Sequence, residues 1–360
     1  MKKIGRQTCI LAANNENPRN GEGAFIRLND GSVMYAYSRY TSADDNGDHA
    51  PAEIAAIFSR DEGETWSSAR TLFPREEYAA NNMCVSLLNM KDGSVGLFYL
   101  CKFYEKGLIM SKVMLRRSYD DGKTWTEAET CADEKKYFVL ENDRVTKLKS
   151  GRIIIPLNEH SNNKDDHPEK GTARFYCSDD EKHWYDSGCA ITSDAPTGLQ
   201  ETGIYQLNDG RLWAFSRTDR GRQFDCFSDD NAKTWTEPAP NAMFTSPCSP
   251  MSVKRMNDFS VAVFNPVSFP AENSYSSRTW GRTPLILAVS RDEFGSADFF
   301  TLEDDPENGY CYTALFEGKN YFLAAYYHSC NGKNVLTSNK ILKVSFSEIF
   351  SPGAAVKLTQ

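Results

Sequence analysis

Six polar residues recur at the starts of apolar runs along this chain: Glu22, Asn82, Asn142, Glu201, Ser249 and Tyr310. Their close neighbours add Asp48, His49, Glu53, Asp143, Arg144, His160, Arg217, Asp219, Arg222, Arg282, Tyr312 and His328. Guanidinium forks bind carboxylates with two parallel hydrogen bonds, and phenols and imidazoles bind hydroxyls. A surface carrying these types together reads as a site for a polar, anionic ligand. Glu201 opens an apolar stretch, where an unpaired acid is costly to bury. It therefore serves either the chemistry or an ion pair with a neighbouring arginine.

Two repeated sequence features place these residues. The first is a box: SRDEGETW from Ser59, SYDDGKTW from Ser118 and SDDNAKTW from Ser228, with degenerate copies SDDEKHW from Ser178 and SRDEFG from Ser290. The second is a leucine, a glycine turn and an apolar strand: LNDGSVMYAYSR from Leu28, LNMKDGSVGLFYL from Leu88, LKSGRIIIPLNEH from Leu148 and LNDGRLWAFSR from Leu207. Weaker copies begin at Arg255 and Phe316. Asp-Gly between apolar runs is a strong hairpin signal. A repeat at this spacing marks a repeating architecture, and helical periodicity is nearly absent.

Six hairpins and five boxes predict an all-β, six-bladed β-propeller with four antiparallel strands per blade, one domain spanning 1–360. The sixth blade is expected to be completed by a strand near Ile341–Phe346, shared with the N-terminus. In the box, Ser and Asp bond backbone amides of a tight turn and Trp packs beneath it. Its acids therefore read as a staple. Hairpin turns and boxes both fall on one face, so function is expected on the other, around the channel.

A net charge of −8 with no basic run excludes nucleic acid as the expected partner. No apolar run is long enough to span a membrane, and no signal-type h-region opens the chain, so a cytoplasmic location is expected. The ten cysteines are scattered, without CxxC pairs or zinc-ligand spacing. No metal or cofactor is expected, and they read as buried thiols of a reducing compartment.

With these boxes, the chain resembles the sialidase (neuraminidase) superfamily of Asp-box propellers. The stretch GLQETGIYQLNDGRLWAFSR is similar to the family segment with a Glu and a carboxylate-binding Arg, which implies Glu201 and Arg217. GRTPLILAVSRDE and GYCYTAL are similar to the later arginine and tyrosine segments, implying Arg282 and a Tyr312 nucleophile, with Tyr310 second. NGDHAPAE implies an acid/base aspartate, Asp48, with Asp44 and Asp45 as competitors. The resemblance implies retaining cleavage of a terminal acidic sugar, since a neutral tyrosine is not repelled by a substrate carboxylate. The family's opening Arg-Ile-Pro segment is replaced by GEGAFIRLNDG. Arg144 is the expected substitute for its arginine, with Glu22 binding a hydroxyl or amine. His49, Asp143, His160 and Arg222 complete the expected substrate-binding set.

Two other readings share the fold. A two-carboxylate, arabinanase-like glycosidase would pair Glu201 with Glu22, Asp48 or Asp143. A non-catalytic carbohydrate-binding propeller would show a shallow face without converging acids and arginines. The polar loop SNNKDDHPEKG (161–171) is long enough to overhang the site or to contact another subunit.

Overall fold

The computed structural model describes residues 1–43, 45, 47–160, 170–269, 279–329 and 335–350. The loop from 161 to 169 and Asp44 lie outside the described residues. Six antiparallel sheets form the blades of a propeller. Their inner strands are Asn20–Arg27 (blade I), Ala79–Asn89 (II), Gln200–Gln206 (IV), Ser252–Met256 (V) and Tyr310–Glu317 (VI). In blade III the inner edge is split into Tyr137–Val139 and Thr146–Lys147, both paired to Ile153–His160. Outermost strands run from Arg70–Thr71 in blade I to Asp298–Glu303 in blade V.

The predicted closure is found in blade VI. Its strand order begins at Arg6–Leu11, which pairs with Ser338–Ser345. That strand in turn pairs with Tyr321–His328. The first and last strands of the propeller therefore share one sheet, which joins blade VI to the rest of the ring.

Cohesion comes from blade faces packed on one another. Ile26, Met34 and Ile54 of blade I interlock with Val85, Leu97 and Tyr99 of blade II, together with Trp125 of the second box. Each fully buried side chain of this kind is worth about 1.5–3 kcal/mol. The boxes join third and fourth strands and act as staples. Ser59 Oγ accepts from Gly63 N at 2.8 Å, while Thr65 N donates to Asp61 Oδ1 at 2.9 Å. The same bonds recur at Ser118–Asp120 and Ser228–Asp230. The Thr65 hydroxyl and amide hold the Asp61 carboxyl down at about 2.

One local irregularity decides where the chemistry sits. Each blade carries one non-glycine residue with positive φ near the start of its inner edge: Glu22, Cys84, Asp143, Glu201, Cys248 and Tyr312. Ladder register shifts there in blades I, II, IV and VI. These are β-bulges, which re-aim a side chain at a small cost in pairing. A left-handed conformation at a residue with a Cβ costs on the order of 1 kcal/mol, and the propeller bears that cost six times.

Candidate active site

Bulges in blades IV and VI bring two side chains together from positions 111 residues apart. The Tyr312 hydroxyl donates to Glu201 Oε1 at 2.5 Å. Arg217, at the end of the next strand of blade IV, places Nη1 at 2.9 and 2.8 Å from the two Glu201 oxygens and 3.3 Å from the Tyr312 hydroxyl. Glu201 and Arg217 are each 8% exposed, so this triad is largely shielded from water. Desolvation first, then the Glu201 charge, push the Tyr312 phenol well above its ordinary value, against the pull of Arg217 and Arg282. At rest the proton belongs to Tyr312, and Glu201 stands as its acceptor.

Arg282 supplies a second buried guanidinium. It stacks on Trp280 at 5.2 Å and on Tyr312 at 5.4 Å from the ring centroids. Its Nη1 reaches the Cys311 thiol at 3.1 Å and its Nη2 the Cys248 carbonyl at 3.5 Å, while Nε has no hydrogen-bond partner among the described residues. It forms no ion pair with a described carboxylate. A cation this buried keeps unused donors for an incoming acid.

A third guanidinium, Arg19, was not among the sequence candidates. It is 2% exposed and opens blade I. Its Nη2 lies 2.6 Å from Glu22 Oε1, its Nη1 2.6 Å from Asp48 Oδ1, and its Nε donates to the Tyr327 hydroxyl at 2.7 Å. Tyr40 packs against its face. Glu22 also accepts from the Tyr327 hydroxyl and from the Cys84 thiol, each at 3.2 Å. Tyr327 meets Tyr312 edge-on with centroids 5.9 Å apart, linking this cluster to the first. Lys102, 3% exposed, and Asn81 hold the Asp48 backbone carbonyl at 3.0 and 2.8 Å. Desolvation opposes ionisation of Asp48, but Arg19 and then Lys102 outweigh it and hold the carboxyl well below the usual range.

Residues 36–324 match the sequence model of the BNR repeat-like domain. The chain belongs to the BNR repeat-like family. Among curated proteins, no sequence matches it. A Dyadobacter fermentans protein of unknown function has a similar structure, with TM-score 0.69 and 18% identity over 94% of this chain and 99% of that one. The leech intramolecular trans-sialidase complexed with 2,7-anhydro-Neu5Ac aligns at TM-score 0.69 and 14% identity, over 97% of this chain and 71% of that one. The Ruminococcus gnavus intramolecular trans-sialidase, in complex with oseltamivir carboxylate, gives TM-score 0.69 and 14% identity, over 93% and 96%. The six-bladed fold of this BNR repeat-like chain is thus that of sialidases.

Not every residue expected in the site of this BNR repeat-like protein reaches it. Asp143 is turned along the channel, accepting from Leu315 N at 3.1 Å and from Lys254 at 3.2 Å. Arg144 pairs with Glu141 and donates to the Met251 carbonyl at 2.6 Å, so it does not replace the missing arginine. Both residues lie in the break between the two halves of the inner edge of blade III, where these partners hold them; Arg19 is the third guanidinium instead. Glu22 binds that guanidinium rather than standing open for a ligand. Arg222 donates to the Asn241 and Ala242 carbonyls of the outer strand. Tyr310 is 1% exposed and stacks on His328 in the core of blade VI, so Tyr312 is the tyrosine at the site. His49 and His160 flank Tyr137, each with centroids 6.0 Å from it, and Lys102 lies 5.6 Å from the same ring. They form a rim on the Asp48 side. Asp45 caps its own turn through Gly47 N.

Proposed function

We propose that this protein is a retaining exo-glycosidase that cleaves a terminal acidic sugar through Tyr312, Glu201 and Asp48. The observation that carries the reading is the 2.5 Å hydrogen bond from the Tyr312 hydroxyl to Glu201, inside a wall of buried guanidiniums. The sialidase-like fold and the ligands of the trans-sialidases named above support it.

Chemistry follows from the contacts. A sugar carboxylate enters beside Arg282, whose unused donors it satisfies. Tyr312 attacks the anomeric carbon while its proton passes to Glu201, and the glycosidic oxygen leaves. Arg217, touching both partners, balances charge as it moves from carboxylate to phenol oxygen. Asp48 protonates the leaving oxygen, then takes a proton from the water that releases the sugar. Its acid role requires that the Arg19 contact be exchanged, because that contact favours the carboxylate. An arriving sugar carboxylate that competes for Arg19 accomplishes this.

Glu201 and Glu22 are each engaged by a separate guanidinium, and Glu201 also by the phenol, which favours this reading over a two-carboxylate mechanism. The test is a panel of aryl glycosides of acidic and neutral sugars with wild type and Tyr312→Phe. Turnover of an acidic member with retained configuration, lost in a folded Tyr312→Phe, is expected. Undiminished turnover in Tyr312→Phe would overturn the assignment.

A further inference from the structure

Blades I, II, III and V bury an apolar residue three places before the box serine: Ala56, Leu115, Phe175 and Leu287, each without solvent exposure. Each packs into the seam with the following blade. Blade IV carries Asp225 at that position, three places before Ser228. A second departure from the repeat falls in the same seam. The box tryptophans Trp66, Trp125, Trp184 and Trp235 each pack against a phenylalanine. The box of blade V has Ala297 at the equivalent place, packed among side chains of blades IV and V. An acid thus stands where the repeat is apolar, and a methyl where it is an indole.

This seam holds a cavity of about 540 Å³, within the size range of small-molecule sites. Asp225 lines it, with Trp213, Phe227, Phe244 and Phe294 as walls. It shares Ala242, Met243 and Gly295 with an adjoining cavity that Ala297 lines. Asp225 lies on the third strand of blade IV, Arg222–Ser228. The Trp213 indole donates to its Oδ1 at 2.8 Å, and the Asn241 amide donates to its Oδ2 at 2.7 Å. Both donors are neutral, so the carboxylate charge is left without a counterion among the described residues. Joining Trp213 to Asn241 requires acceptor atoms, not charge. A carboxylate accepts about four hydrogen bonds, so it retains capacity for a further donor.

The remaining charges of the lining are matched or turned to other work. Arg211 pairs with Asp209 at 2.8 Å, and Glu293 with Arg255 at 2.6 Å. Asp292 is exposed and closes its own turn, accepting from the Ser290 and Ser296 hydroxyls at 2.8 and 2.7 Å. The surplus is therefore negative. Aromatic faces attract cations as well, which favours the same sign of ligand.

We propose that the seam between blades IV and V binds a small organic ammonium ion with an apolar body, held by Asp225 against the aromatic walls. The probe is benzylamine, titrated calorimetrically into the full chain, with benzyl alcohol and benzoate as controls. Burial pushes the Asp225 carboxyl up to about 6, against the pull of Trp213 and Asn241, so the titration is run at about pH 8. Benzylamine binds once per chain, and the controls bind at least about tenfold more weakly. Asp225→Asn weakens benzylamine binding by about tenfold or more. Asp48→Asn, which removes an acid of the Tyr312 site, leaves it unchanged. Should Asp225→Asn fail to fold by thermal melt, Ala242→Lys carries the test: the position is exposed, and its ammonium repels the ligand and weakens binding to the same degree. No heat at millimolar benzylamine overturns the proposal. So does binding undiminished in a folded Asp225→Asn or in Ala242→Lys, or lost in Asp48→Asn, or a control that binds as tightly as benzylamine.

Discussion

The Tyr312 hydroxyl and Glu201 Oε1 sit 2.5 Å apart, on bulges of blades VI and IV. Replacing Glu201 by Gln keeps the size and removes the proton acceptor. Turnover is expected to fall by about 10²–10⁴-fold. The melting temperature should fall as well, because the buried Arg217 guanidinium loses its charge partner and keeps only an amide oxygen to bond, so activity is compared at a temperature where both proteins are folded. Stopped assays with the best acidic glycoside, beside thermal melts, check this.

Arg282 is assigned to the substrate carboxylate. In Arg282→Met the KM for an acidic glycoside should rise by at least about tenfold, from loss of a charged hydrogen bond. The kcat/KM for a neutral one should hold. Equal losses for both would assign Arg282 to general packing.

Arg19 holds Asp48 as a carboxylate. Removing the guanidinium raises the Asp48 pKa toward the ordinary value near 3.9, so Asp48 remains protonated to higher pH. The limb of the pH–rate profile on which activity falls as Asp48 loses its proton should shift upward in Arg19→Met relative to wild type. An unshifted profile would remove Asp48 from the acid/base role. A folded-state check is needed, since Glu22 is also buried against Arg19 and breaking such a pair costs about 3–5 kcal/mol.

The box aspartates Asp61, Asp120 and Asp230 have carboxyls lowered to about 2, in each case chiefly by the threonine hydroxyl four residues on. Their folded pKa lies below the unfolded one, so the unfolded chain takes up protons first as pH falls. Their contribution is present above roughly pH 4 and lost toward pH 2. Melting temperature should accordingly drop across that window, and Asp120→Asn should flatten the drop.

Gly23 follows the Glu22 bulge, and a Cβ there would stand 2.4 Å from the Ala36 carbonyl oxygen and 2.6 Å from the Tyr35 ring. Backbone cannot step aside, so Gly23→Ala should cost about 1–3 kcal/mol. Chemical denaturation reads this directly, and a change under half that size would show that blade I is looser than its contacts imply.

Legibility in the sequence followed the strength of local signals. The box and the hairpin turn are short-range devices, so blade count, strand order within blades and the shared sixth blade could all be read. The inner ring was read nearly right, by counting six residues back from each hairpin. That offset reaches Glu22 from Leu28 and Glu201 from Leu207. From Met90 and Gly318, where the backbone bonds close the turns, it reaches Cys84 and Tyr312. Placing those two closures at Leu88 and Phe316 gave Asn82 and Tyr310. Arg19 escaped because its burial depends on Tyr40 and Tyr327, from other strands, which no local pattern reveals. Lys102 did leave a signal, a lone lysine inside the apolar run VGLFYLCKFY. Arg144 and Asp143 were misplaced because a break in one strand has no marker in their own residues.

The six left-handed positions of the inner edge also separate what is held constant from what can vary. Glu22, Glu201 and Tyr312 occupy three of these stations, while thiols stand at two others, Cys84 and Cys248. Because the backbone at each station already takes a left-handed conformation, a new acid, base or nucleophile there needs no change in strand register. A propeller built this way can acquire a different chemistry by single substitutions, and Cys84→Glu or Cys248→His is where such a redesign should begin.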